Sequence, residues 1–441
     1  MLQSRPSFWL LQNRWIRILG VAFVMHILAF IDRNNIAMAI PAMRSSLGLS
    51  AASIGFASGS LYLTYIVMQV PAGRLAETWS AKKIIRISAI LWGLASLSTA
   101  FVRTGSGLLI NRLFMGLVEG AETVTLIMLV RSWFTRAERA RALTVILISV
   151  PLASVTSSLI SGFILKRLGW QWMFVIEAVP TLIWAGVWQV AICDRPEQAA
   201  WLPDFVQSNL VARLREEERE IKLLPGHWTR AMWHPAVVLL ALNNLLFLTG
   251  NLGVVLWLPS VLKETGMSIT EVGTLSAMTY FAGAVMMVLC SISSDYFQER
   301  KWHVIGLNLL AGIFLLLVPK SGHSAVFWTV VCFAFINGLL YGRFAVFWAL
   351  PSEILPASGV GVGVGLINCV GSFGGFVGPF VFGYVRTRTD GFDLALTIAA
   401  VLLMLAALMI IPIKTLESKR APRIADPCAP SIGHENELRR L

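Results

Sequence analysis

The feature that most constrains this chain is a series of long apolar runs, each about as long as a helix that crosses a lipid bilayer. A helix needs about 20 predominantly apolar residues to span the hydrocarbon core, where every backbone polar group must be paired internally. Twelve runs meet this requirement, with approximate bounds 15–40, 51–73, 84–102, 107–130, 143–165, 171–192, 236–262, 272–292, 303–319, 323–347, 358–383 and 392–413. The sequence therefore predicts an all-α membrane protein with twelve transmembrane helices.

The composition agrees with a membrane protein and argues against soluble classes of protein. Charged residues make up 14% of the 441 residues, whereas a soluble domain has about a quarter. The formal net charge is +12, and a positive charge is compatible with a nucleic-acid partner. The basic residues, however, stand in short loops between apolar runs, which weakens that interpretation. We therefore expect the lipid bilayer as a partner and no nucleic acid.

The chain divides into two halves of six runs each. We expect an N-terminal half at 1–192, a cytoplasmic linker at 193–232, a C-terminal half at 233–413 and a cytoplasmic tail at 414–441. The linker is polar and contains the charged stretch 215–220, which predicts a surface helix. Two six-helix halves are typical of transporters built from internal repeats.

The basic residues predict the orientation in the membrane. With both termini placed in the cytoplasm, 25 of the 36 Lys and Arg residues fall on the cytoplasmic side, 8 fall outside and 3 lie within the runs. Cytoplasmic loops of membrane proteins carry an excess of Lys and Arg. We expect a multi-pass protein of the cell (inner) membrane, and this distribution also explains the positive net charge.

Several stretches in fixed order along the runs resemble a known family. They are Asp32-Arg33-Asn34-Asn35, Gln69-Val70-Pro71-Ala72-Gly73, the stretch 112–120, Ser132-Trp133-Phe134, the stretch 138–142, Trp257-Leu258-Pro259, and Asn368 with the glycines and proline that follow it up to Gly383. Over roughly 15–413 the chain resembles the major facilitator superfamily, and within it the anion:cation symporters. That family includes bacterial permeases for sugar acids and phthalate, and animal sialic-acid and vesicular glutamate carriers.

The resemblance implies the major facilitator fold and a secondary active transporter. The expected activity is proton-coupled symport of a small organic anion by alternating access, carried out by a monomer without cofactor or metal. An exchanger or exporter of the same fold remains open, and so does a transporter-like membrane sensor, which would need a larger cytoplasmic surface. A membrane enzyme is not expected, because the six His residues include no pair at i, i+4 that would hold a metal.

Arg33 is the sharpest candidate for contact with a substrate. An ionisable group inside a bilayer costs at least about 2.5–3.5 kcal/mol, so it is a functional candidate by default. Arginine stays charged and offers a planar fork that matches a carboxylate. Arg33 therefore binds either the anionic substrate or a protein carboxylate that holds two helices together, and the resemblance implies the substrate.

Two acids, Asp32 and Glu119, are the candidates for proton coupling. Asp32 is rotated about 100° from Arg33 around the helix, so we expect it to face spans four or five while Arg33 faces the cavity. Glu119 shares a helix face with Arg112, seven residues earlier. The alternative is a static ion pair of these acids with Arg112, and the resemblance implies the coupling role. Whether Glu122 and His26 also titrate stays open.

Polar and aromatic residues are expected to complete the substrate site. We assign Tyr65, Trp348 and Asn368 to substrate binding, with Asn243, Asn244 or Asn251 as further candidates for the C-terminal wall. Trp348 has an alternative role as an anchor at the membrane interface, and Arg343 is a candidate for the inner rim of the site. Glycines four residues apart, such as Gly371 and Gly375, predict close helix packing.

Charged residues in the cytoplasmic loops are expected to pair between the halves when the protein opens outward. An acid stands five residues before a basic residue in the second loop and again in the eighth. The alternative is that the basic residues serve only to orient the chain. The candidates for gating are Glu77, Lys82, Lys83, Arg139, Asp295 and Arg300.

Overall fold

The apolar runs of the N-terminal half form six helices in the computed structural model, which describes residues 14–222, 233–318, 326–354 and 360–413. The predicted bounds agree with the observed ends to within a few residues at most termini. The helices are α1 Trp15–Leu47, α2 Ala51–Leu75, α3 Ala81–Thr99, α4 Gly105–Trp133, and a continuous stretch Arg136–Ala191 that bends into α5 (136–168) and α6 (170–191).

The C-terminal half contributes six further helices of this kind and one short one. In the described part of the chain, nine helical stretches are long and apolar enough to cross a membrane, and two of them, 51–99 and 136–191, contain two spans each. With the 17-residue apolar helix α10, the described residues contain the twelve predicted spans. The helices are α8 Pro235–Glu264, α9 Ile269–Phe297, α10 Lys301–Leu317, α11 Val326–Phe347, the short α12 Leu350–Ile354, α13 Val360–Thr389 and α14 Asp393–Ile410.

Local turn chemistry sets the places where the chain reverses. Gly48 ends α1 with φ 63°, and Gly169 separates α5 from α6 with φ 83°, a backbone region that glycine enters without steric cost. Ser50 and Thr104 cap α2 and α4 by accepting hydrogen bonds from the backbone N–H three residues later. These turns keep the loops short, so consecutive spans run antiparallel, while the most extensive packing within a half joins spans that are not consecutive, such as α2 with α4 and α9 with α11.

The linker forms a helix that docks on the N-terminal half. Helix α7 runs over Asp204–Lys222, as the charged stretch predicts, and residues 223–232 of the predicted linker lie outside the described residues. Arg139 of α5 donates a hydrogen bond to Glu217 of α7 at 2.9 Å, and the rings of Trp133 and Trp201 stack with centroids 5.6 Å apart. We call the membrane side that carries α7 the linker side and the opposite one the far side.

The two halves meet along α2 with α13 and along α5 with α9. At the far side a Cβ added to Gly59 would lie 2.7 Å from the carbonyl oxygen of Phe376, and one added to Gly162 would lie 3.1 Å from Gly273 Cα. Backbones that approach this closely need glycine at the contact. The halves are therefore closed against each other at the far side.

The glycines of α13 confirm the packing predicted from their spacing. A Cβ on Gly374 would lie 2.5 Å from the Leu245 carbonyl oxygen of α8, and one on Gly375 would lie 2.6 Å from the ring of Tyr62 in α2. Gly374 thus brings α13 against α8 within its own half, while Gly375 brings it against the other half. This helix therefore determines how closely a substrate site between the halves can close.

Candidate functional site

The centre of the candidate site is an ion pair between α1 and α4. Arg33 Nε donates a hydrogen bond to Glu119 Oε2 at 2.9 Å, and the two side chains are 8% and 0% exposed. The guanidinium lies over the rings of Phe30 and Tyr65, at 4.6 and 4.9 Å from their centroids. Arg33 Nη2 and Glu119 Oε1 are buried and have no hydrogen-bond partner among the described residues. Both members therefore retain hydrogen-bonding capacity.

Arg33 also lines a cavity of about 30 Å³ between the two halves. Arg112, Tyr62 and Ser58 share the N-terminal wall, and the opposite wall is formed by Leu252, Val255, Leu256 and Pro379. A space of this size holds about one water molecule. The ion pair thus faces the interface between the halves, in a conformation too tight for an organic anion.

Arg112 lies at this cavity without the carboxylate partner that a static ion pair requires. Its Nη1 donates to Met115 Sδ at 3.3 Å, and its guanidinium lies 5.6 Å from the ring centroid of Phe174. In the described part of the chain no carboxylate oxygen comes within ion-pair distance of it. Glu119 pairs with Arg33 and not with Arg112, although Arg112 and Glu119 share a helix.

Asp32 points to the back of α1, and the expected direction toward spans four or five was wrong. Its two carboxylate oxygens accept hydrogen bonds from Ser96 of α3 at 2.8 Å and from Thr181 of α6 at 2.9 Å. The rotation of about 100° from Arg33 was expected correctly, but the rotation turns the side chain toward the third and sixth spans. Asp32 is fully buried behind the ion pair.

Two further buried acids extend this group. His26 Nδ1 and Glu122 Oε1 lie 2.9 Å apart and share a hydrogen bond. The two residues that the sequence offered as additional titrating groups are therefore partners. Glu177 of α6 is also buried and accepts from Ser161 at 2.6 Å. The sequence analysis missed Glu177, although an acid inside the sixth apolar run meets the criterion that selected the others.

The predicted substrate residues of the two halves come together only in part. The ring of Tyr65 lies against the Arg33 guanidinium. Gln69, one helical turn after Tyr65, accepts a hydrogen bond through Oε1 from Asn368 Nδ2 of the other half at 3.0 Å. Trp348 instead packs edge-on against Phe347, with ring centroids 5.4 Å apart. The structure therefore brings Asn368 close to the Arg33 region but gives Trp348 an aromatic environment within its own half.

Arg343 is enclosed within the C-terminal half. Its guanidinium lies between the rings of Phe247 and Phe347, at 3.7 and 3.9 Å from their centroids. Its terminal nitrogens donate to the side-chain oxygens of Asn243 and Asn244. These two amides, candidates for the substrate wall, thus serve Arg343, whose side chain is fully buried and does not reach the inner rim.

The predicted gating residues make their contacts within single halves or with the linker. Arg300 pairs with Asp295 at 3.3 Å and with Glu353 at 3.1 Å, all in the C-terminal half. Burial raises the pKa of the Glu353 carboxyl above its usual value, while Arg300 opposes this shift.

On the N-terminal half, the backbone N–H of Lys82 donates a hydrogen bond to the Asp194 carboxylate. The Lys83 ammonium lies 5.6 Å from the Trp79 ring centroid. Glu77 lines a cavity of about 400 Å³ beneath α7. Pairing between the halves in an outward-open state stays a prediction.

Among the described residues, no three His, Cys, Asp or Glu side chains form a group that could hold a metal.

The sequence matches a family model over most of its length. The model described as Major Facilitator Superfamily matches residues 22–379 and 251–430. A protein named "Putative tartrate transporter" from Agrobacterium vitis is 30% identical over 89% of this chain and 88% of its own length. The "Hexuronate transporter" of Bacillus subtilis is 22% identical over 88% of this chain and 92% of its own.

Solved structures show the same fold. The inward-open conformation of the xylose transporter XylE from E. coli superposes with a TM-score of 0.76, covering 91% of this chain and 97% of that chain at 15% sequence identity. An inward-facing bacterial homologue of the human lysosomal transporter Spinster superposes with a TM-score of 0.72 at 15% identity, covering 89% and 95% of the two chains. At this identity the likeness concerns the fold alone.

Proposed function

Because this chain belongs to the major facilitator superfamily of membrane transporters, we propose that it carries a small organic anion together with protons in the same direction. The substrate class is a sugar acid or another small carboxylate. Relatives named for tartrate and hexuronate support this class, since both names denote organic acids. We further propose that the protein is a monomer of the cell (inner) membrane, with both termini and the linker side in the cytoplasm.

One observation carries the proposal, namely that the permanent cation between the halves is paired with an acid that can be neutralised. Arg33 contacts Glu119 at 2.9 Å and lines the cavity between the halves. Arginine stays charged at any relevant pH, whereas a carboxylate loses its charge on protonation. When Glu119 takes a proton, Arg33 is left without its counter-ion and is free to bind the carboxylate of a substrate.

This exchange of partners couples the two ligands. A buried cation without a counter-ion is costly, so Arg33 releases Glu119 only when an anion replaces it. Protonated Glu119 and the bound anion therefore occupy the site together, and both leave together. The unpartnered Arg33 Nη2 is available for a second hydrogen bond to the anion, and Arg112 adds positive charge to the same cavity.

Asp32 is the second coupling acid in this proposal. Its carboxylate accepts hydrogen bonds from the hydroxyls of Ser96 and Thr181 and has no cationic partner within ion-pair distance among the described residues. Protonation of Asp32 therefore breaks no ion pair. Its position next to Arg33 along α1 lets its charge offset part of the field of Arg33 when Glu119 is neutral. A change of charge at Asp32 would therefore alter the affinity of Arg33 for an anion.

The test is uptake of radiolabelled organic acids into vesicles with an imposed proton gradient. We expect Arg33→Gln to weaken anion binding by about 10- to 100-fold, the size of a lost hydrogen bond to a charged group, while Arg103→Gln, at an exposed arginine between α3 and α4, leaves uptake unchanged. Asp32→Asn and Glu119→Gln are expected to abolish gradient-driven accumulation and to retain exchange of anion for anion. Normal uptake by Arg33→Gln refutes the assignment, and uptake indifferent to the gradient makes the protein an exchanger.

A further inference from the structure

We propose that His26 and Glu122 form a second proton-binding site, separate from the Arg33–Glu119 pair and connected to it by hydrogen bonds that reach Tyr65, whose ring lies against Arg33. This inference rests on the proposed anion–proton symport and adds a second kind of proton carrier to it. The site binds one proton on the imidazole of His26, whose charge Glu122 then balances. It lies closer to the linker side than Arg33 does, because α1 runs from the linker side to the far side.

The pair is buried in the seam between α1 and α4. His26 Nδ1 and Glu122 Oε1 are 2.9 Å apart, and the two side chains are 3% and 0% exposed. His26 precedes Arg33 by seven residues, which places both on one face of α1, and Glu122 follows Glu119 by three residues on α4. A His–Glu pair and an Arg–Glu pair thus lie one above the other along the same seam.

Hydrogen bonds connect this pair to the residue beneath Arg33. Tyr65 Oη donates to Thr123 Oγ1 at 3.3 Å, and Thr123 Oγ1 donates to Glu122 Oε2 at 2.9 Å. The Tyr65 ring centroid lies 4.9 Å from the Arg33 guanidinium carbon. A change of charge on Glu122 or His26 therefore reaches the candidate substrate site through the hydroxyls of Thr123 and Tyr65 and the Tyr65 ring.

The chemistry of the two groups suits reversible proton binding. Histidine is the side chain whose ordinary pKa lies between pH 5 and 8. With a neutral imidazole the buried Glu122 carboxylate is a single uncompensated charge, and one proton on the imidazole turns the two residues into an ion pair. The imidazole takes this proton from water and returns it to water on the other side, so no covalent bond other than N–H changes.

Other charged and titratable groups share this part of the N-terminal half and influence the pair. Arg33 opposes a second cation on α1, while Glu119 favours one when it is ionised. Protonation of Glu119 and of His26 therefore influence each other, and binding of an anion to Arg33 favours both. Arg33 and Glu119 lie close enough to Glu122 for direct electrostatic interaction, and Tyr65 is connected to Glu122 by hydrogen bonds through Thr123.

The decisive measurement is the number of protons moved per substrate anion. It is obtained in proteoliposomes from simultaneous recording of internal pH and radiolabelled tartrate or glucuronate. We expect His26→Gln and Glu122→Gln to move one proton fewer than the unaltered protein while still exchanging anion for anion. At an imposed gradient of about one pH unit, one proton fewer lowers the final accumulation ratio about ten-fold, since each proton contributes about 1.4 kcal/mol.

A matched control comes from a second His–Glu pair among the residues that the structure describes. His303 Nδ1 lies 3.1 Å from Glu299 at the linker-side surface, with side chains 21% and 33% exposed. His303→Gln removes the same chemistry from a site outside the α1–α4 seam and is expected to keep the full proton number. An unchanged ratio in both His26→Gln and Glu122→Gln overturns the proposal.

The outcomes separate this inference from the proposed function. If the unaltered protein carries no anion, or Arg33→Gln carries it normally, the proposed function fails. If Arg33→Gln is defective and His26→Gln keeps the proton ratio, only the second site fails. If His26→Gln does not insert, infrared difference spectra of the unaltered protein with ring-labelled histidine decide: an anion-dependent imidazolium signal supports the site, and its absence between about pH 5 and 8 refutes it.

Discussion

Closure of the far side depends on backbone contact at Gly59, and one methyl group at that position should open it. In Gly59→Ala the new Cβ would lie 2.7 Å from the Phe376 carbonyl oxygen, 3.2 Å from its Cα and 3.3 Å from its carbonyl carbon. All three are backbone atoms, so no side chain can turn away. An ordinary contact needs about 3.4 Å, and α2 and α13 must therefore separate by roughly 0.7 Å.

The cost of this separation falls on the far-closed conformation. Overpacking of a tight contact costs about 1–3 kcal/mol, whereas alanine in place of glycine favours the helix itself by about 1 kcal/mol in every conformation. The equilibrium between conformations should therefore shift toward the far-open one by about 5- to 150-fold. Gly73→Ala is the matched control, because its Cβ meets only the Val124 side chain of the same half, at 3.2 Å.

The assay is labelling of a cysteine in the cavity by a membrane-impermeant maleimide added to intact cells. Val255→Cys places the reporter at the cavity wall, in a background without the native residues Cys193, Cys290, Cys332, Cys369 and Cys428. We expect labelling of the Gly59→Ala variant to be at least five-fold faster than that of its parent, and labelling of the Gly73→Ala variant to be unchanged. Equal rates in a correctly inserted Gly59→Ala variant would refute the idea that this contact holds the far side closed.

Two further predictions concern the linker side. Asn368→Ala removes the hydrogen bond to Gln69, worth about 0.5–1.5 kcal/mol, so maleimide labelling of the neighbouring Cys369 from the linker side should rise about 2- to 12-fold; an unchanged rate means that this bond does not hold the halves together. Burial raises the pKa of Glu353, so the carboxyl stabilises the fold below its ordinary pKa of about 4.3 and loses this contribution as the pH rises toward its raised value. Glu353→Gln should therefore flatten the decline in unfolding midpoint as the pH rises above about 4.3, measured in detergent, and an unaltered pH profile would contradict this.

The sequence contained most of the fold because helix spans depend on local composition. Runs of apolar residues predicted the twelve spans, and the ionisable residues within them predicted the buried charges Arg33, Asp32 and Glu119. The partners of these charges could not be predicted in the same way. Asp32 meets α3 and α6 because of the rotation and tilt of α1 against its neighbours, which the sequence of α1 does not contain.

The same limit explains the pairing between His26 and Glu122. They lie 96 positions apart in the sequence, and each considered alone is a single polar group on an apolar helix. Arg343 shows the opposite case, in which a residue type suggested the rim of the substrate site but the rings of Phe247 and Phe347 enclose it. Glu177 needed no structure, since the rule that found Glu119 applies to it equally.

The four buried acids Asp32, Glu119, Glu122 and Glu177 all lie in the N-terminal half, whereas the buried charge of the described C-terminal half is Arg343, held by neutral side chains. The two halves therefore have unequal tasks despite their common architecture. We expect the energy-converting reactions to be confined to one of them, which leaves the other free to diversify. Substitutions in the C-terminal wall of the cavity would then change substrate specificity, while the buried acids of the N-terminal half stay unchanged.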